Sequence, residues 1–238
     1  MSIYVEELTH GCVSFTHGVP WKHGSRLAGM EHGRAFKARQ KNILFDTGNY
    51  NDRAQLIDRL QQHRLTPQDI DQVVLSHLHF DHVMNIDLFR NAEIFAGAQE
   101  REQTEDLATP QLYLERLSKS HQVNWIHQET ALCASVTLLP TPGHTPGSIS
   151  LLFQDQQKSI ILCGDAVKSR REYNGCRNTP SVTAWANRAD WIVPGHDKPF
   201  TREGVYCNAP AQNRIQADLE TPCTIVFDSE KRNGSEVL

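Results

Sequence analysis

The chain has 238 residues, a length that can bury a full hydrophobic core and that predicts a single domain over residues 1–238. Its 24 basic and 28 acidic residues give a formal charge of −4, which argues against nucleic acid or a membrane surface as a partner. The sequence shows no secretion signal, no apolar run of transmembrane length and no Cys-x-x-Cys pair. We therefore expect a cytoplasmic protein that acts on a small molecule.

The first forty residues carry few regular patterns. Residues 3–16 show short, partly alternating stretches that are typical of strands. Residues 17–33 contain four glycines and no periodicity, which predicts a long mobile loop. Trp21 lies near the middle of this loop and is a candidate substrate contact if the loop is a flap over the site. A hairpin tip without a function explains the same composition equally well.

Two apolar strands follow, and each of them ends in polar residues. Asn42–Phe45 predicts a buried strand that ends at Asp46, and a helix with one apolar face is predicted over residues 52–63. The pair Thr66-Pro67 predicts the start of another helix. Residues 73–75 predict a second buried strand, and it leads directly into three histidines and an aspartate.

The segment from His77 to His82 has a spacing that suits metal binding. His77 and His79 fall on the same side of an extended chain, because side chains alternate with a period of two. The chain must then turn, so Asp81 and His82 can face the same space from a second direction, and the four side chains could serve two adjacent ions. A polar turn that is merely rich in histidine is the alternative. Four potential ligands directly after an apolar strand argue against it.

The rest of the chain alternates between predicted strands and helices, and no Pro/Ser linker or charge block divides it. The predicted elements are a helix or turn over 83–90, a strand over 92–96, a helix after Thr109-Pro110, paired strands over 131–139 and 148–153, a strand over 159–163, a helix from Thr179-Pro180 to about Ala189, a strand over 191–193 and a strand-like stretch over 223–227.

Three more ligand candidates occupy similar places along the chain. His144 lies in the turn Thr141–Ser148, which contains two prolines and two glycines and fixes the backbone. Asp165 follows a strand and a glycine that permits an unusual backbone angle or a close approach, and His196 follows a Pro-Gly pair after another strand. Rigid strands that end in histidine or aspartate are suited to holding a preorganised site.

These stretches together resemble the metallo-β-lactamase-fold hydrolases. The similar segments are Phe45–Gly48, Ser76–His82, Thr141–Ser148, Gly164-Asp165 and Pro194–His196, in the family's order. The resemblance implies an α/β fold, a four-layer αββα sandwich with two metal ions between the edges of two sheets. It implies that the first ion is bound by His77, His79 and His144, the second ion by Asp81, His82 and His196, and both ions by Asp165, while Asp46 holds a ligand in place.

The ligand types then suggest the chemistry. Imidazole and carboxylate suit zinc, which we expect as two Zn²⁺ ions, although iron or manganese would also fit. A water shared by two such ions ionises near a pH of roughly 7. Asp81 could bind an ion through one oxygen, orient this water with the other and pass a proton to the leaving group, so we name it the catalytic residue. The predicted reaction is hydrolysis of a small ester, lactone or thioester.

Departures from related subfamilies narrow this prediction. The class B1 β-lactamases have a cysteine where this chain has Asp165, and the N-acyl-homoserine lactonases usually have a tyrosine shortly after the bridging aspartate, where this chain has Ala166-Val167-Lys168. A persulfide-dioxygenase-like oxidoreductase with one iron is the alternative function. Its usual Gly-Cys-Gly-Arg segment is echoed only by Gly175-Cys176-Arg177.

The segment after Asp165 supplies three further candidates for substrate contact. Lys168, Arg170 and Tyr173 follow the bridging aspartate closely, and their positive charges could bind a carboxylate or phosphate. A solvated loop without a role in binding is the alternative. The oligomeric state stays open, although residues 204–238 could supply a homo-oligomer interface.

Overall fold

The computed structural model describes residues 2–7, 14–16, 19–21, 26–31, 42–62, 64–102, 107–119, 121–133, 136–154, 159–197, 199–206 and 224–228, with backbone only for the strands before residue 42 and after residue 206. The strands are β1 Ser2–Glu7, β2 Ser14–Thr16, β3 Val19–Trp21, β4 Arg26–Glu31, β5 Asn42–Phe45, β6 Gln72–Val74, β7 Glu93–Gly97, β8 Val123–Ile126, β9 Thr130–Cys133, β10 Val136–Pro140, β11 Ile149–Gln154, β12 Ser159–Gly164, β13 Trp191–Pro194, β14 Phe200–Thr201 and β15 Thr224–Asp228. The α-helices are α1 Arg53–Gln62, α2 Phe80–Val83, α3 Gln111–Leu117, α4 Arg170–Cys176 and α5 Pro180–Ala186.

Two sheets organise these strands. The first sheet has seven strands in the order β15-β1-β4-β5-β6-β7-β8, and the second has six in the order β14-β13-β12-β11-β10-β9. Strands β5 to β8 run parallel, as do β12 and β13, while the other pairs are antiparallel. The parallel strands matter for the site, because their carboxyl ends meet at one edge of each sheet.

Three buried clusters show that the sheets and helices form four layers. One cluster fills the space between the sheets, with Phe45 and Phe95 from the first sheet and Leu151 and Phe153 from the second. A second cluster covers the outer face of the first sheet with side chains of α1, and a third covers the outer face of the second sheet with side chains of α4 and α5. The αββα sandwich expected from the sequence is therefore confirmed.

The alternation of side chains along the strands explains this layering. Ile43 and Phe45 of β5 point into the space between the sheets, whereas Leu44 packs under the helices. In β11 the same holds for Leu151 against Leu152. A strand covered on both faces needs apolar residues at every position, so it appears in the sequence as an unbroken apolar run. Each such side chain contributes roughly 1.5–3 kcal/mol by leaving water.

The loop predicted over residues 17–33 is wrong where the structure describes it. Val19–Trp21 pairs with β2, and Arg26–Glu31 pairs with both β1 and β5. The glycines there do not prevent strand formation, because the backbone hydrogen bonds of β4 come from two partners that are distant in the chain. The remainder of that stretch, including the side chain of Trp21, lies outside the described residues.

Other boundaries also differ from the predictions. The stretch over 131–139 is a hairpin of β9 and β10, and Thr66-Pro67 starts a single 3₁₀ turn that ends at Asp69. The helix from Pro180 ends at Ala186, three residues early. Strand β8 and helix α4 were not predicted at all. Among the described residues, no helix is long and apolar enough to cross a membrane.

Candidate metal centre

The loop after β6 places four polar side chains around one space. Residues from Leu75 to His79 leave the sheet without regular structure, and α2 then begins at Phe80 with His79 as its N-cap. The ring centroid of His77 lies 4.4 Å from that of His79 and 4.2 Å from that of His82. Helix α2 thus turns Asp81 and His82 back towards the two earlier histidines, as the sequence spacing predicted.

The second sheet contributes three side chains to the same space. His144 lies in the turn between β10 and β11, Asp165 directly after β12, and His196 two residues after β13. His144 Nε2 is 3.1 Å from His79 Nδ1 and 3.4 Å from Asp165 Oδ2, and His196 Nε2 is 2.8 Å from Asp165 Oδ1. The structure therefore brings all seven predicted ligands together.

Two groups of these side chains have the spacing needed to hold an ion. The first group is His77, His79 and His144, and the second group is Asp81, His82 and His196; in each, the ligand atoms lie within 4.8 Å of one another. Asp165 forms a further such set with His77 and His82, one residue from each group. Its carboxylate thus lies between the two groups.

Asp46 supports the first of these loops from behind. Its backbone φ of 58° is in the left-handed region, which aspartate tolerates better than most residues. In this conformation its carboxylate accepts hydrogen bonds from the backbone N–H of Ser76 at 2.7 Å and from the Ser76 hydroxyl at 2.8 Å. It also lies 2.8 Å from His82 Nδ1, which leaves His82 Nε2 facing the other ligands. Asp46 therefore contacts Ser76 and the candidate ligand His82, which is the placement that the predicted supporting role requires.

The donor atoms fit a metal ion. Nε2 of His77 is fully buried and has no hydrogen-bond partner among the described residues, while its Nδ1 lies 3.0 Å from the Ser76 hydroxyl. A buried nitrogen without a partner is costly unless something binds it. In the first group, His79 presents Nδ1 and His144 presents Nε2 to each other across 3.1 Å. Neutral imidazoles with carboxylates are the donor set that zinc, iron and manganese accept.

The pKa values of these groups favour bound positive charge. Burial lowers the pKa of His77 well below its usual value and that of His144 to about 4, so both are neutral at pH 7 and keep their lone pairs. Burial would also lower the pKa of His82, but the charges of Asp46, Asp81 and Asp165 outweigh it and raise this pKa to about 10. The three carboxylates around His82 thus stabilise a positive charge at this place.

A glycine allows Asp165 to reach its position between the two groups. Gly164 has a φ of 48°, and a Cβ there would lie 2.5 Å from both Cβ and Oγ of Ser76. Only glycine fits such a contact at this backbone angle. The end of β12 therefore packs directly against the loop after β6. The unusual backbone angle and the close approach predicted for Gly164 are both confirmed.

The four candidate substrate contacts are placed differently from one another. Lys168 is close to the cluster, with Nζ 3.9 Å from Asp165 Oδ2 and a partly exposed side chain. The guanidinium of Arg170 stacks on the ring of Tyr206 at 4.0 Å and donates to the Gly204 carbonyl.

Tyr173 lies on the other side of the second sheet. Its side chain is buried, its hydroxyl donates to the Arg202 carbonyl at 2.7 Å, and its ring packs near that of Phe200. The structure therefore does not bring Tyr173 to the cluster, because the N-cap at Ser169 starts α4 and directs this residue into the core. The side chain of Trp21 lies outside the described residues.

Two residues at the site were missed by the sequence reasoning. Ser76 connects Asp46 to the histidines, and its position directly before the metal motif could have identified it. Glu100 is buried and binds both the loop after β6 and the turn that carries His144. No local signal marks it, because its partners are 22 to 47 residues away.

Comparisons with known proteins agree with this fold. The family model for the metallo-beta-lactamase superfamily matches residues 36–196. Since this match covers more than half of the chain, the protein belongs to the metallo-beta-lactamase superfamily.

Individual relatives of known name match only part of this chain. A "probable metallo-hydrolase" of Methanocaldococcus jannaschii is 29% identical over 124 residues, which are 52% of this chain and 50% of the relative. An N-acyl homoserine lactonase of Bacillus cereus is 31% identical over 103 residues, 40% of this chain and 38% of the relative. The matches thus span half of these relatives or less.

A solved structure shows the same fold over most of the chain. It is a mutant of the Bacillus thuringiensis protein AiiA with N-decanoyl-L-homoserine bound at its active site, and its TM-score is 0.60. It is 21% identical, and the likeness covers 82% of this chain and 93% of that one.

Proposed function

We propose that the protein is a hydrolase that uses two zinc ions to cleave an ester, lactone or thioester bond in a small molecule. The observation that carries this proposal is the position of Asp165 between the two groups of ligands. Its Oδ2 is 3.4 Å from His144 Nε2 in the first group, and its Oδ1 and Oδ2 are 2.8 Å and 2.9 Å from His196 Nε2 in the second. A carboxylate that reaches both groups supports two adjacent ions that share one ligand.

The residues of the chain then have separate tasks. A pair of bound divalent ions would lower the pKa of a water molecule to roughly 7 and polarise the carbonyl of the substrate. Asp81 is 13% exposed and belongs to the second group, so it lies where it can orient a water molecule and transfer its proton to the leaving group. Asp46 and Ser76 keep the histidines in the required orientation.

Two side chains beside the ligands can bind the rest of a substrate. The ammonium group of Lys168 can contact an anionic or carbonyl oxygen, since it lies 3.9 Å from Asp165 Oδ2. Phe80, between His79 and Asp81, is 44% exposed and offers an apolar surface. The lactonase among the relatives supports an ester or lactone bond as the target. The chain has Ala166-Val167-Lys168 where the lactonases usually have a tyrosine, so the proposal names this class of bond and no particular lactone.

The alternative is a persulfide-dioxygenase-like oxidoreductase with one iron. The segment Gly175-Cys176-Arg177, which is similar to part of that family's motif, gives it no support. Cys176 at the end of α4 packs against the cluster under the second sheet, and the guanidinium of Arg177 donates to the Glu203 carbonyl. These contacts hold α4 in place and lie on the opposite side of that sheet from its inner core.

Metal analysis combined with a substrate screen tests the proposal. Protein purified without added metal is analysed for metal per chain and assayed with an N-acyl homoserine lactone, an aryl ester and an acyl thioester. We expect about two zinc ions per chain, and hydrolysis that a chelator abolishes and zinc restores. One iron per chain with oxygen consumption on a persulfide would instead establish the oxidoreductase. The absence of any bound metal would refute both functions.

A further inference from the structure

Glu100 is a buried carboxylate that is not among the ligands. It lies in the 3₁₀ turn that follows β7 and is 3% exposed. Its Oε2 accepts a hydrogen bond from the backbone N–H of Leu78 at 2.9 Å. Its Oε1 accepts one from the Thr145 hydroxyl at 2.5 Å and one from the backbone N–H of Gly147 at 3.0 Å. Both oxygens are therefore used, and all three partners are donors.

The partners of Glu100 are the neighbours of metal ligands on two different sheets. Leu78 lies between His77 and His79 in the loop of the first sheet, and Thr145 directly follows His144 in the turn of the second sheet. Glu100 thus connects the two segments that supply the first group of ligands. A second connection is the backbone hydrogen bond from Ile149 N–H to the Ser76 carbonyl at 2.8 Å.

The packing around Glu100 leaves little freedom for the turn that carries His144. A Cβ on Gly147 would lie 2.4 Å from the backbone nitrogen of Glu100 and 2.7 Å from its Oε1. The turn therefore packs directly against this residue. A change in the part of Glu100 that faces the turn should therefore shift the turn, because the contacts between the two are already tight.

We propose that Glu100 is a positioning residue that sets the distance between His144 and the pair His77 and His79, and thereby the affinity of the first group for its ion. A carboxylate suits this task because it has only acceptors and can bind three donors at once. Its charge also strengthens each of these bonds in a buried setting. The inference rests on the proposed metal centre.

The variant Glu100→Gln tests this role with the least change in shape. A glutamine has one carbonyl oxygen, so in either orientation its NH₂ group faces a donor, the Leu78 N–H or the Gly147 N–H. We expect the affinity of the first group for Zn²⁺ to fall about 10- to 100-fold, the usual effect of losing a residue that supports a ligand. The affinity of the second group should change much less, because the three donors that Glu100 binds lie in the segments that carry the first group.

The measurement is a titration of metal-free protein with chelator-buffered Zn²⁺, together with Co²⁺ absorption spectra, which report ligand geometry. The Zn²⁺-binding step that is absent from the titration of His144→Ala is assigned to the first group. The matched control is Glu93→Gln, the same change at the exposed start of β7, where the carboxylate accepts a bond from Gln72. It should leave both steps unchanged.

Two further variants keep the test informative if Glu100→Gln folds poorly. Thr145→Val removes one donor and should weaken only the first step, whereas Thr145→Ser retains the hydroxyl and should restore it. Wild-type affinity in both Glu100→Gln and Thr145→Val would overturn the inference. The inference would also be overturned if Zn²⁺ affinity fell equally at both binding steps and the metal-free protein lost stability in urea in parallel. A wild-type protein that binds no ion would overturn the proposed function, and the inference with it.

Discussion

The two sheets supply the ligands of the site in different ways. The first sheet provides the candidate ligands His77, His79, Asp81 and His82 from one segment of six residues, and the carboxylates of Asp46 and Glu100 support this segment. The spacing of the ligands is set by local geometry, an extended stretch followed by a helical turn. The spacing of these four side chains along the chain therefore follows mainly from the conformation of one loop.

The second sheet provides only one ligand from each of three loops. His144, Asp165 and His196 are separated by 21 and 31 residues along the chain, and each depends on how its strand packs against the first sheet. The close contact at Gly164 and the hydrogen bonds of Glu100 fix that packing. We infer that the affinity of the site for metal depends more on how the two sheets are positioned against each other than on the segment His77–His82 itself.

The largest effect on activity should come from a change in the segment His77–His82 of the first sheet. Asp81→Asn keeps the size of the side chain but removes its ability to take up a proton, so kcat should fall by about 10²- to 10⁴-fold. The melting temperature should stay within a few degrees, because Asp81 is partly exposed. Steady-state kinetics and thermal unfolding measure the two effects. Full activity in this variant would remove Asp81 from the mechanism.

The second-largest effect should come from the second sheet. His144→Ala removes one of three ligands from the first group, and the metal content should fall from two ions towards one per chain, as measured by elemental analysis. His127→Ala is the matched control, because His127 is exposed directly after β8. Unchanged metal content in His144→Ala would show that His144 is not a ligand.

The close packing between the two sheets can be tested by substituting two glycines in the turn that carries His144. Gly147→Ala places a methyl group 2.4 Å from the Glu100 backbone nitrogen, so it should reduce the free energy of unfolding by roughly 1–3 kcal/mol and weaken metal binding. At Gly143 an added Cβ meets no atom within 4 Å, so Gly143→Ala should change stability by less than about 0.5 kcal/mol. Urea unfolding compares the two. Equal stabilities would contradict the close packing of the turn.

The smallest effect should be seen on the far side of the second sheet. Tyr173→Phe loses one hydrogen bond to the Arg202 carbonyl, which is worth about 1 kcal/mol of stability, and it should leave kcat and KM unchanged. Lys168→Met, by contrast, should raise KM about tenfold for an anionic substrate. A change in KM for Tyr173→Phe would place this residue at the site after all.

The sequence predicted the layered fold and the seven candidate ligands that the structure brings together, but it missed much of what supports them. The apolar runs of β5, β11 and β12 mark strands buried on both faces, and the polar residues at their ends mark the edge where the site lies. Residues 17–33 were misassigned because β4 is stabilised by strands that are remote in sequence. Tyr173 was misplaced because one helical turn after Ser169 decides which side of the sheet it faces.

By itself, the sequence determined the chemical nature of the site: which atoms can bind a metal ion, and which strands carry them. These properties are local, since a side chain brings its donor atoms with it and a strand reveals its buried faces through its period. Only the tertiary structure decided that Asp165 reaches both groups and that Glu100 connects the loops of the two sheets. Distances of this kind depend on how two sheets pack against each other, and no pattern within a short segment encodes them.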